Sequence, residues 1–92
     1  VRVSFALAAL DDLMRIRAYL IERYGEAQAA RIGARIRASI DLLLQYPYIG
    51  HIGEVPGTRA RKVTGQPYIV IYRVTEQAVE VIHIYHERRD QR

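Results

Sequence analysis

Apolar and polar residues alternate over residues 1–5, with Val1, Val3 and Phe5 on one side, which predicts a short strand. From Ala9 the spacing changes to steps of three and four. Leu13, Ile16, Leu20 and Tyr24 fall on one stripe of a helix, and Asp11, Asp12, Arg15 and Glu22 are placed mostly off it. The acidic pair near the start suits the positive end of the helix dipole. Gly25 is the expected stop. Ala29, Ile32, Ile36, Ile40 and Leu43 repeat the same spacing in a second helix, and so short a turn between them makes the two helices antiparallel.

The second helix should end before Tyr46-Pro47, because proline disfavours helical backbone in the residue ahead of it. Gly50, Gly53, Pro56 and Gly57 then predict an irregular loop up to Thr58. Three strands are expected beyond it, at about residues 59–63, 68–74 and 78–86. The connections at 64–67 and 75–77 suit hairpins, so these strands should be antiparallel neighbours. The sum is an α+β fold of two layers, an N-terminal strand and an antiparallel helical hairpin followed by three antiparallel strands in one sheet. Its 92 residues suit a single domain, 1–92.

Composition narrows the classes of function. Hydrophobic residues make up 50% of the chain, ample for a core, although domains this small often draw stability from a partner. Without cysteine there is no disulfide and no thiolate metal site. No apolar run approaches the roughly 18 residues that span a bilayer, and residues 1–10 lack the basic segment and cleavage site of a signal peptide. A cytoplasmic protein with no membrane partner and no cofactor is the expectation. The net charge of +4 rests almost wholly on arginine, since Lys62 is the sole lysine. Arginine grips phosphate or carboxylate with a planar fork of donors, which points to nucleic acid or an acidic protein as partner.

Candidate chemistry gathers in the second half. Alternation puts Arg59 and Arg61 on one face of their strand and Lys62 on the other, with Arg73 on the next strand. The arginines form either a phosphate-binding patch or a strand edge kept soluble by charge. In the last strand, alternation separates Val79, Val81, His83 and Tyr85 from Glu80, Ile82, Ile84 and His86, unless a bulge breaks the parity. His86 with Tyr85 and Arg88 or Arg89 could complete a site for cleaving a phosphodiester, and Glu54 is the single loop acid available as its base. The competing reading has His86 hydrogen-bonding the loop that follows and Glu54 solvated. His83 and His51 carry weaker signals. Gly50, Gly53 and Gly57 lack the strand-then-helix context of a phosphate cradle, and three histidines without cysteine make no metal motif. Arg31, Arg35 and Arg37 read as a solvated helix face. On the first helix, Met14 and Ile21 line either a partner groove or the contact with the second helix.

Several segments together resemble a known family. They are Asp11-Asp12-Leu13, Ile16-Arg17-Ala18-Tyr19-Leu20, Pro47-Tyr48-Ile49-Gly50, Val55-Pro56-Gly57-Thr58-Arg59, residues 67–74 (Pro-Tyr-Ile-Val-Ile-Tyr-Arg-Val) and His86-Glu87-Arg88-Arg89-Asp90. In this order, over nearly the whole chain, they resemble the RelE/ParE superfamily of toxins from type II toxin-antitoxin modules. The resemblance implies that the first strand pairs with the last. It also implies a growth inhibitor held in a hetero-oligomer by a small antitoxin, for which Met14, Arg17 and Ile21 of the first helix are the candidate contacts.

Two activities within that superfamily imply different residues. Toxins that cleave messenger RNA on the ribosome carry an arginine in the central strand, where this chain has Ile69; of two basic positions in their preceding strand, Lys62 matches one and the other falls at Ala60. An apolar residue cannot neutralise charge on a phosphorane. A nuclease of this kind would rely on Glu54, Arg61, Tyr85 and His86. Residues 67–74 are worded more like ParE-type toxins, some of which poison DNA gyrase without chemistry of their own. Target contacts would then fall on Arg59, Arg61, Lys62, Arg73, His86, Arg88 and Arg89. A third possibility is a non-toxic member that serves as a partner-binding or regulatory module.

Overall fold

The computed structural model describes residues 2–88. Strand β1 (Arg2–Phe5) leads into helix α1 (Leu7–Tyr24), and α2 (Glu26–Gln45) follows directly. Gly25 alone makes the reversal. Its φ of +88° is left-handed backbone that favours glycine, its N–H closes α1 on the Ile21 carbonyl, and its carbonyl opens α2 by accepting from Ala29. Strands β2 (His51–Ile52), β3 (Arg59–Lys62), β4 (Tyr68–Val74) and β5 (Ala78–His86) complete the chain. The sheet order is β1-β5-β4-β3-β2. β1 runs parallel to β5, as the resemblance implied for its position, and the other pairings are antiparallel.

The helical hairpin lies on one face of this sheet. Ala29, Ile32, Ile36, Ile40 and Leu43 of α2 are all buried, the same five positions the spacing selects, and they meet Val63, Tyr68, Val70, Tyr72, Val79, Val81 and Ile84 of the sheet. Along α1 the stripe differs from expectation. Leu20 is buried, and Leu13 and Ile16 pack partly against the core, but Tyr24 is exposed where the chain turns at Gly25. Asp12 is buried instead, so it does not lie off the stripe. Because α1 starts at Leu7, its first turn contains no acid, and the expected dipole contact of Asp11 and Asp12 does not fall there.

Two sheet features alter the plain strand pattern. The loop after α2 contains β2, which pairs His51 with Ala60 and Ile52 with Arg59. A bulge also interrupts β5: Ile71 faces His83 while Tyr72 faces Val81, so Ile82 is the extra residue. The parity of β5 therefore changes at this point. Val79 and Val81 point toward the helices, then Ile84 and His86 do, whereas simple alternation put Ile84 on the face opposite Val81.

Candidate functional site

Register places the side chains of β3. Arg59 sits opposite Tyr72 and Arg61 opposite Val70, both core residues, so the two arginines share the helix side of the sheet at its rim. Lys62 sits opposite Ile69 on the open face. These are the faces alternation predicts. Arg59 is committed to the neighbouring loop: its Nη1 donates to the Gly50 carbonyl at 2.8 Å, and its guanidinium carbon lies 4.9 Å from the centre of the Tyr48 ring. Beneath it the Tyr72 hydroxyl donates to the Pro47 carbonyl (2.7 Å) and accepts the Gly50 N–H (2.9 Å). A Cβ on Gly50 would stand 2.7 Å from that hydroxyl and 2.8 Å from the Ala60 carbonyl, so only glycine fits without displacing backbone.

The expected basic patch is divided. Lys62 and Arg73 lie on the open face, each 3.6 Å from a carboxylate, Lys62 from Glu87 and Arg73 from Glu80. Arg59 and Arg61 occupy the other side, and neither forms an ion pair among the described residues. Arg88 is exposed, and Arg89 lies outside the described residues.

Glu54, Arg61, Tyr85 and His86 are not gathered. Tyr85 pairs with Ile69 on the open face, whereas His86 pairs with Tyr68 on the helix side, where the two rings meet edge to face at 5.5 Å. Glu54 follows β2, and β3 and β4 stand between β2 and β5, a lateral separation of about 14 Å at normal strand spacing. Glu54 is also beyond the Arg59 end of β3, the opposite end of the sheet from His86. His86 is occupied in its own way. Its Nδ1 accepts the Arg88 backbone N–H at 3.1 Å, which puts the neutral ring's proton on Nε2 and leaves no free basic nitrogen. This is the loop-bonding role that competed with catalysis.

Among the described residues, Asp12 and His83 form a carboxylate–histidine pair. Asp12 accepts from His83 Nδ1 at 3.0 Å, from the Ile84 backbone N–H at 2.9 Å and from Arg15 Nη2 at 2.6 Å. A carboxylate can only accept, so Nδ1 carries the proton, and a neutral His83 ring has Nε2 as its acceptor. Asp12 stands three residues after Ala9 and four before Ile16, a stripe position, and a charge there was the available signal. Nothing local could name His83 as its partner.

A shallow depression of about 400 Å³ on α1 is lined by Met14, Arg17, Ala18, Ile21 and Glu22. Arg17 and Ile21 also border a second hollow, about 240 Å³, that runs between the helices past Gly33 and Ile36. Met14 is 70% exposed, whereas Ile21 packs partly against the core. Among the described residues no helix is long and apolar enough to cross a membrane, and no three His, Cys, Asp or Glu side chains are grouped to hold a metal ion.

Solved structures share this architecture. The chromosomal ParDE toxin-antitoxin system from P. aeruginosa superposes with a TM-score of 0.86 at 22% identity, over 94% of this chain and 95% of that one. The intact E. coli RelBE complex gives 0.60 at 17% identity, over 91% and 93%. The fold is thus that of the RelE/ParE superfamily. Within it, the chain belongs to the ParE toxin family of the type II parDE toxin-antitoxin system, whose profile matches residues 3–91. A relative named as a toxin, Y4kP of Sinorhizobium fredii, is 38% identical over 85 residues, which cover 92% of this chain and 86% of that protein.

Proposed function

We propose that this toxin inhibits growth by binding DNA gyrase, without chemistry of its own, and that a cognate antitoxin neutralises it. The observation that carries this reading is the dispersal of Glu54, Arg61, Tyr85 and His86 over two sheet faces and opposite ends. General acid–base cleavage needs its groups within about 3 Å of the same reacting atoms. Arg61 on β3 stands two strand spacings and Glu54 beyond β2 three from the Tyr85 and His86 of β5, which supplies no such centre. Binding can instead use arginines at the sheet rim and at the end of β5. Arg59, Arg61, Lys62, Arg73, His86, Arg88 and Arg89 remain the target-contact candidates.

We assign the antitoxin to the helices. Met14 and Ile21 offer apolar contacts, and Arg17 between them offers a fork for a carboxylate. Related folds were solved as toxin-antitoxin systems, which supports a hetero-oligomer for this chain too. Expression with and without the adjacent gene, followed by assays of DNA breaks and messenger integrity, tests the reading. DNA breaks with intact messenger are expected. Cut messenger with intact DNA would favour the ribosome-directed nuclease, and absence of growth arrest would favour a regulatory member.

A further inference from the structure

The loop between α2 and β3 presents five large apolar side chains to solvent. Tyr46, Tyr48, Ile49, Ile52 and Val55 are between 40% and 76% exposed. Scattered exposure of this kind is ordinary, but five such residues within ten positions form a contiguous stretch. Its backbone is also firmly held. Tyr72 is fully buried and spends its hydroxyl on Pro47 and Gly50, and Arg59 ties down the Gly50 carbonyl and covers the Tyr48 ring. The core thus fixes a segment whose side chains contribute little to the core.

A rigid, exposed set of tyrosines and aliphatics beside arginine has the composition of a protein-binding hot spot, with ordering entropy already spent. Charge indicates the kind of partner. Arg59 and Arg61 lack carboxylate partners among the described residues, while Glu54 is the one acid in residues 46–61. The complementary surface is therefore acidic around an apolar socket. Gly53 donates to the Thr58 carbonyl, so alternation along the ladder turns the Ile52 N–H and C=O outward, where an extended segment can pair with them. Position separates this surface from the helix groove. β2 is the sheet edge farthest from β1 and β5, and α1 packs over β5.

We propose that residues 46–55 are the apolar anchor by which the toxin seats on its protein target, an acidic surface with an apolar socket, and are not the antitoxin site. This rests on the toxin acting by binding a protein. The test uses the full chain with Tyr48→Ala and, separately, Ile52→Asp, both at exposed positions, with thermal melts to confirm folding. Growth arrest, capture of the adjacent gene's product, binding to purified gyrase and sedimentation of the free toxin are measured. Each substitution is expected to weaken target binding about 30-fold, the loss typical of a hot-spot residue, and to relieve growth arrest while antitoxin capture is retained. Unchanged growth arrest, loss of antitoxin capture, or a toxin dimer that the substitutions dissociate without relieving arrest would each overturn the proposal. If the parent chain arrests growth without gyrase-dependent DNA breaks and the variants do not arrest growth, the gyrase reading fails while the anchor stands. If parent and variants break DNA equally, the anchor fails while the gyrase reading stands.

Discussion

Asp12 in the first helix accepts the backbone N–H of Ile84 in the last strand at 2.9 Å, 72 positions away. The reason lies in the sheet. β1 accompanies β5 only as far as Val81, so beyond the bulge the outward N–H of Ile84 has no neighbouring strand, and the Asp12 carboxylate takes that place. Asp12→Ala should cost about 1–3 kcal/mol by leaving this buried donor unsatisfied. Asp12→Asn keeps an acceptor oxygen and should cost less. Urea unfolding of both variants checks this, and equal losses would show that the Ile84 bond is not what Asp12 contributes.

Tyr72→Phe preserves the ring and removes only the hydroxyl that joins Pro47 to Gly50. The expected loss is about 1–3 kcal/mol, with the buried Gly50 N–H left unpaired. Hydrogen exchange should rise at Gly50 well before it rises in β4. Unchanged exchange at Gly50 would mean that the loop is held by Arg59 alone.

Gly50 and Gly33 predict opposite outcomes for the same change. Gly50→Ala drives a methyl into the Tyr72 hydroxyl and the Ala60 carbonyl and should destabilise by about 1–3 kcal/mol. At Gly33, in the middle of α2, a Cβ meets nothing within 4 Å, so Gly33→Ala should stabilise the free toxin by about 0.5–1 kcal/mol. Its methyl would also enter the hollow between the helices. Calorimetric titration with the antitoxin should then show weaker binding to a more stable toxin, and undiminished binding would remove that hollow from the antitoxin site.

Arg61 and Arg73 separate target contact from stability. Arg73→Ala breaks an exposed pair with Glu80 and should change stability by less than about 1 kcal/mol, and Arg61→Ala has no ion pair to lose among the described residues. Growth assays of both variants, with melts as controls, show which sheet face meets the target. Arrest relieved by Arg61→Ala alone assigns the contact to the helix-side rim, and arrest relieved by Arg73→Ala alone assigns it to the open face. Full arrest by both variants would exclude both arginines.

Sequence spacing specified α2 closely, because all five of its stripe positions face one continuous core. It was less complete for α1. Tyr24 continues the stripe by arithmetic but is swung outward at the Gly25 reversal, and Asp12 occupies a stripe position because its partners come from β5. The bulge at Ile82 and the two-residue β2 depend on pairing with distant strands, which no local pattern records. The candidate residues were legible one at a time, and alternation correctly divided Arg59 and Arg61 from Lys62. Their assembly was not legible: sheet order decides that Glu54 and His86 stand far apart, and the Arg88 N–H decides which nitrogen of His86 is occupied.

The most direct test of the gyrase reading is incubation of the purified toxin with DNA gyrase and supercoiled plasmid, beside a parallel reaction with translating ribosomes. Accumulation of gyrase-dependent broken plasmid with messenger left intact is the predicted result. Intact plasmid together with messenger cut only on ribosomes would contradict it and require Glu54, Arg61, Tyr85 and His86 to act in a geometry other than the one described.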